Sequence, residues 1–152
     1  MQVTELGHVV ITVSNLERSA RFYRDVLGLH ETGRLGERGM FFAGGNNRTH
    51  HELLIQAVPN GQPIPKEPHI GLSHMAFKIG TNDDELKEAH KRFLEAEVEI
   101  DSITDHGVTH SIYVKDPDGH RVEVFIDVQP ELWRTDPKAG VGQGGKPLAL
   151  NI

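Results

Sequence analysis

Four histidines and two glutamates in short apolar runs carry the chemistry of this sequence. They lie in Gly7-His8-Val9-Val10, His50-His51-Glu52-Leu53-Leu54-Ile55, Ser73-His74-Met75-Ala76-Phe77 and Arg121-Val122-Glu123-Val124-Phe125. Each run has the length and composition of a β-strand. An ionisable side chain inside such a run is costly unless it is paired or bound to a metal. Two imidazoles and one carboxylate (His8, His74 and Glu123) form a donor set that holds a divalent metal and leaves positions open. There are no cysteines, so thiolate zinc sites, disulfides and a cysteine nucleophile are excluded.

The elements that must position these groups follow from patterning. Leu6–Val13 reads as a strand with His8, Val10 and Thr12 on one face. Ser14 to Glu17 has the pattern of a capping box with Ser14 as N-cap, opening a helix to about Leu27. Its inward side is Leu16, Ala20, Tyr23 and Leu27, and Gly28 terminates it. Strands are expected near His30–Leu35, Met40–Ala43 and His50–Val58. A proline-rich connector covers about 59–70. The plan then repeats: a strand over Leu72–Ile79, a helix from an Asn82–Glu85 cap to about Ala96, and strands near Glu97–Ile103, Thr109–Lys115 and His120–Val128. The second helix is expected to bury Leu86, Ala89, Phe93 and Leu94. Asp116-Pro117-Asp118-Gly119 is a tight turn.

The fold class is therefore α+β: two βαβββ modules, about 5–58 and 71–128, forming a curved mixed sheet around a metal site. Together they make one domain over 1–128, with an irregular tail over 129–152. The repeat pairs His8 with His74 and Glu52 with Glu123.

Composition sets the outer limits. The net charge of −6 includes no basic block, which argues against nucleic acid as a partner. No apolar run approaches the roughly 20 residues that span a bilayer, and the N-terminus lacks a basic-then-apolar signal. A cytoplasmic location is the expectation.

His8 followed by the helix Asn15-Leu16-Glu17-Arg18-Ser19…Phe22-Tyr23…Val26-Leu27-Gly28, then His74, then Asp116-Pro117-Asp118-Gly119…Glu123, resembles the vicinal oxygen chelate superfamily. That superfamily contains glyoxalase I, type I extradiol dioxygenases and antibiotic-resistance proteins. The resemblance covers about residues 5–127. Within it, His50-His51 ahead of an acidic residue, His106-Gly107-Val108-Thr109-His110, and Ile112-Tyr113 before the turn resemble catechol-type extradiol dioxygenases. The resemblance implies metal ligands His8, His74 and Glu123 holding Fe(II). A catechol binds through both oxygens, O2 takes the remaining position, and the ring opens beside the diol. His51 serves as base and then acid, suited by an ordinary pKa near 6.5. His106 or His110, with Tyr113, hydrogen-bonds the oxygens. A homodimer is implied as well.

Two rivals stand beside this reading. A glyoxalase-like lyase would add Glu52 as a fourth ligand and take Ni, Zn or Mn. His51 and Glu52 are neighbours on a strand, so only one of them faces the metal. The other rival is a binding protein that performs no chemistry. His30, His69, His90 and His120 read as surface or loop residues, and Met40, Phe42, Phe77 and Phe125 as residues that shape the pocket.

Overall fold

The computed structural model describes residues 1–46, 48–140, 142 and 144–150. The chain divides into two compact units, Met1–Lys66 and Glu67–Ile152, with the division inside the proline-rich connector.

The first unit contains β1 (Val9–Val13), α1 (Leu16–Arg21, continued by a π-helical turn over Phe22–Val26), β2 (His30–Arg34), β3 (Gly39–Ala43) and β4 (Leu53–Ala57). Its sheet has the order β1-β4-β3-β2. The first and last strands pair in parallel, from Val9 opposite Leu53 to Val13 opposite Ala57, and the other pairs are antiparallel. Ile11 and Val13 are buried, whereas Val10 and Thr12 are exposed on the alternate face. The strand starts at Val9 rather than Leu6, so His8 lies immediately outside it.

The N-cap of α1 is Asn15, not Ser14. Its side chain accepts from the Arg18 backbone N–H at 2.9 Å, and Ser14 instead accepts from the Arg18 guanidinium. Asparagine caps as well as serine does, so one residue of slippage costs little. The regular α-helix ends at Arg21, six residues short of the expected end, and the chain continues through the π-turn. There the Leu27 N–H reaches back to the Phe22 carbonyl at 3.0 Å. The wider turn lets the neighbours Phe22 and Tyr23 both point inward, with their rings edge to face at 5.1 Å. Gly28 follows at φ 82°, in the left-handed conformation that ends helices.

The second unit repeats the plan with β5 (Met75–Gly80), α2 (Asp83–Glu95), β6 (Ile100–Asp105), β7 (Thr109–Lys115) and β8 (Arg121–Asp127). Its sheet has the order β5-β8-β7-β6-β9, the last being Lys146–Pro147. Again the first strand and the fourth pair in parallel, here Met75 with Val122. Each module thus closes a mixed sheet of its own. The Asn82–Glu85 capping box is realised in full. Leu86 and Phe93 are buried on α2, and the Leu94 side chain is exposed, contrary to expectation. At 100° per residue, Leu94 falls past the edge of a stripe centred on Leu86 and Phe93.

The tail is more ordered than its composition suggests. Pro130–Thr135 forms α3, with proline at the start where its missing N–H costs nothing. Lys146–Pro147 forms β9, which extends the sheet beyond β6.

Candidate functional site

Strand parity decides which side chains share a face of the second sheet. Glu123 on β8 lies opposite Tyr113 on β7 and Ala76 on β5, and Tyr113 lies opposite Ser102 on β6. Alternation therefore places Arg121, Glu123, Phe125 and Asp127 of β8 on one face with Ser111 and Tyr113 of β7. The opposite face carries Val122, Val124, Ile112 and Val114, all buried, and packs on α2.

On the polar face Nε2 of His74 stands 3.0 Å from Oε2 of Glu123. The other carboxylate oxygen accepts a 2.6 Å hydrogen bond from the Ser111 hydroxyl, and both residues are buried. Nδ1 of His74 is buried without a hydrogen-bond partner, whereas Nε2 faces Glu123, the acceptor for a proton on that nitrogen. Two donors each about 2.1 Å from one cation, at right angles, stand about 3 Å apart. The pair thus fits two neighbouring positions of a metal site, and a cation there takes the place of the Nε2 proton.

The His74 ring meets Tyr113 edge to face at 5.5 Å. The Tyr113 hydroxyl lies 3.1 Å from Nε2 of His106. Burial, followed by the charge of Glu123, pushes the Tyr113 phenol up to about 12, so it remains a hydrogen-bond donor at any physiological pH. The Arg121 guanidinium sits 4.1 Å over the Tyr113 ring and bonds Asp101 at 2.9 Å.

His110 is elsewhere. It is on the alternate face of β7, with Nδ1 2.7 Å from Asp83 at the start of α2 and Nε2 3.7 Å from Asp105. The structure brings His74, Glu123, Tyr113 and His106 together and leaves His110 out.

In the first unit His8 gathers with His51, ring centroids 4.4 Å apart, and with His50 at 6.3 Å. Phe41 supports His51 edge to face at 5.0 Å. Burial, then the neighbouring imidazoles His50 and His8, holds His51 below the usual histidine value. Glu52 is turned to other work. It accepts the Gly44 backbone N–H at 2.8 Å and faces Arg48 at 3.6 Å. Nor is Glu52 the register equivalent of Glu123. Val9 pairs with Leu53 as Met75 pairs with Val122, so the position matching Glu123 is Leu54. Among the described residues no group of three or more His, Cys, Asp or Glu gathers as a metal holder. His8 belongs to one unit, and His74 and Glu123 to the other.

Of the remaining histidines, His30 opens β2 and is exposed, and His69 lies in the exposed connector. His90 is on α2 with Nδ1 buried and unpartnered, and His120 bonds Asp116. Met40 and Phe42 are wholly buried core residues rather than pocket walls. Sequence reasoning missed Ser111, Arg121 and Phe41. Parity could have found Ser111 and Arg121, which stand two residues from Tyr113 and Glu123 on the same strands, whereas Phe41, paired with Gly33 and Leu54, carried no such signal.

The chain belongs to the Glyoxalase/Bleomycin resistance protein/Dioxygenase superfamily, whose family model matches residues 5–124. It is 33% identical over 163 residues to biphenyl-2,3-diol 1,2-dioxygenase 3 of Rhodococcus globerulus, covering 99% of this chain and 82% of that protein. It is 29% identical over 133 residues to catechol-2,3-dioxygenase of Bacillus subtilis, covering 88% of this chain but 45% of the relative, so it spans about half of that protein's length. A metallothiol transferase, FosB of Staphylococcus haemolyticus, is 31% identical over 122 residues, 78% of this chain and 81% of the relative. Among solved structures, a glyoxalase/dioxygenase from Nostoc punctiforme superposes with a TM-score of 0.70 at 20% identity, over 81% of this chain and 90% of that one. A lactoylglutathione lyase from Agrobacterium tumefaciens gives 0.62 at 25% identity, over 83% and 96%. The Nostoc likeness establishes the fold. Among the described residues no helix is long and apolar enough to cross a membrane.

Proposed function

We propose that this protein is an extradiol ring-cleavage dioxygenase that opens a catechol-type aromatic diol with O2. Its metal ligands are His74 and Glu123 of the second module with His8 of a first module, supplied by the same chain or by a second copy in a homodimer. Fe(II) held by these residues would supply open positions for the diol oxygens and O2 and a redox-active centre to couple them. The observation that carries the reading is the division of labour between His51 and Glu52. His51 packs on His8, whereas Glu52 is committed to Gly44 and Arg48. On this reading the site has three protein ligands instead of the four of a lyase.

This chain's residues then have distinct tasks. Ser111 holds one oxygen of Glu123 so that the other is presented. His51, held below the usual histidine value, is unprotonated at neutral pH and takes a proton from the diol. Having taken it, His51 returns it to the opening product. Tyr113, kept protonated, donates to a substrate oxygen, with His106 fixing the direction of its hydroxyl. His110, tied to Asp83, takes no part.

The similarity to two enzymes named as diol dioxygenases supports this reading over the lyase. The test is anaerobic loading with Fe(II), then catechol and 2,3-dihydroxybiphenyl in air, followed by absorbance of the yellow ring-opened product. His51→Gln should lower kcat at least a hundredfold with the metal still bound. Turnover of the methylglyoxal–glutathione adduct with Ni or Zn, without diol cleavage, would overturn the assignment. Metal binding with no turnover of either substrate would favour a binding protein.

A further inference from the structure

The matched family region ends at residue 124, yet the tail beyond it returns to the site. β9 pairs antiparallel with β6 at Thr104 and Asp105, and the Leu148 N–H bonds the Ile103 carbonyl at 3.0 Å. These β6 residues directly precede His106. Where this segment passes the imidazole it presents Gly145. A Cβ placed on Gly145 would lie 2.9 Å from Cε1 and 3.1 Å from Nδ1 of His106, and 2.4 Å from Cγ2 of Thr104. The ring edge and the Thr104 methyl therefore occupy the space that a side chain at 145 would need. The other ring nitrogen, Nε2, faces the Tyr113 hydroxyl. A second glycine grips the same hairpin from further along. A Cβ on Gly140, whose φ is 75°, would come 2.2 Å from Cγ1 of Val108.

From this we infer that the C-terminal segment is a strap for the β6–β7 hairpin, and that Gly145 is a positioning residue that sets where the His106 imidazole stands against Tyr113. The ring stands between Gly145 on the Nδ1–Cε1 side and the Tyr113 hydroxyl on the Nε2 side. Any side chain at 145 pushes the ring toward Tyr113 or out of its plane. The catalytic consequence rests on the dioxygenase reading proposed above. The placement of the ring does not.

The test uses the full-length chain loaded with Fe(II) for kinetics, and loaded with Zn(II) as a diamagnetic substitute for NMR. Three variants are compared: Gly145→Ala, Gly145→Ala with Thr104→Ala, and a chain ending at residue 143. The double variant removes the methyl that a Cβ would strike first and leaves the imidazole contact in place. The strap predicts that the His106 13Cε1–1H resonance moves in all three. It predicts at least a tenfold lower kcat on the diol with KM changed less than threefold, and no recovery in the double variant. The inference is overturned if the His106 resonance is unmoved in the truncated chain. It is overturned equally if the double variant restores both resonance and kcat, which would assign the effect to Thr104. If wild-type protein cleaves no diol, the dioxygenase reading fails, and the His106 resonance alone still decides the strap.

Discussion

Ser111 shows how much of a site can depend on a residue that touches no substrate. Its hydroxyl is the buried partner of one Glu123 oxygen at 2.6 Å. Removing it strands that oxygen, a loss of about 1–3 kcal/mol in a buried setting. Outer partners of metal ligands typically govern affinity about 10–100-fold. With Glu123 as the proposed Fe(II) ligand, Ser111→Ala should therefore weaken Fe(II) binding about 10–100-fold in a chelator competition and lower the urea midpoint. Equal affinity in both proteins would show that Glu123 is oriented by something else. A second residue-scale expectation concerns His120. Burial of its ring disfavours charge, but the hydrogen bond and charge of Asp116, with Asp118 behind, outweigh burial and raise its pKa. The charged form is thus the one the fold prefers. The stabilisation is complete below about pH 6.5, the unfolded value, and is lost as pH rises through the higher folded value. Unfolding by urea at pH 6 and pH 8.5, compared between the wild type and His120→Gln, should show the loss in the wild type alone, because the opposite contribution of His51 is common to both proteins. Asp116 also accepts the backbone N–H groups of Asp118 and His120, at 2.9 and 2.8 Å, so its own replacement would confound the measurement.

Elements were legible wherever a pattern had one solution. Thr109–Lys115 was read to its ends because alternating residues meet a well-marked turn, and the α2 cap because Asn82 and Glu85 stand at the spacing a capping box needs. Boundaries slipped where two solutions differ little. Ser14 and Asn15 are both good caps, and Leu94 sits at the margin of an apolar stripe. The π-turn was invisible because it reflects packing of Phe22 and Tyr23 rather than propensity. The residues that gather around Glu123 carried a signal of chemistry and face in the sequence, but that His106 and not His110 stands beside Tyr113 needed the partner strands, since both flank one hairpin. β9 escaped because two residues of glycine-flanked strand exist only by pairing with β6. Helix α2 ends under strain that sequence did not advertise. Glu97 occupies a left-handed φ of 54° while the Val98 N–H bonds the Phe93 carbonyl at 2.9 Å. Glycine is the natural residue there. Glu97→Gly should stabilise the fold by about 0.5–1 kcal/mol, allowing for glycine's greater freedom when unfolded. A lowered urea midpoint would argue that the Glu97 side chain makes a compensating contact.

At the scale of the molecule, stability should be graded across the second sheet. β8 and β7 stand at its centre, with Ile112, Val114, Val122 and Val124 almost wholly buried, while β6 is flanked on its outer side only by β9, a two-residue edge. Amide exchange should be slowest at those four residues and fastest at Lys146, with intermediate rates along β6. Uniform protection would instead mark the sheet as one cooperative block that includes its tail. The parallel pairing of first and last strands carries a further meaning for biosynthesis. β1 has no ladder partner until β4 has been made, 40 residues or more later, and β5 waits in the same way for β8. Neither module can therefore be assembled turn by turn as the polypeptide emerges. Each must be held open until its fourth strand leaves the ribosome, and any nascent chain arrested before Arg121 exposes an unsatisfied strand beside His74.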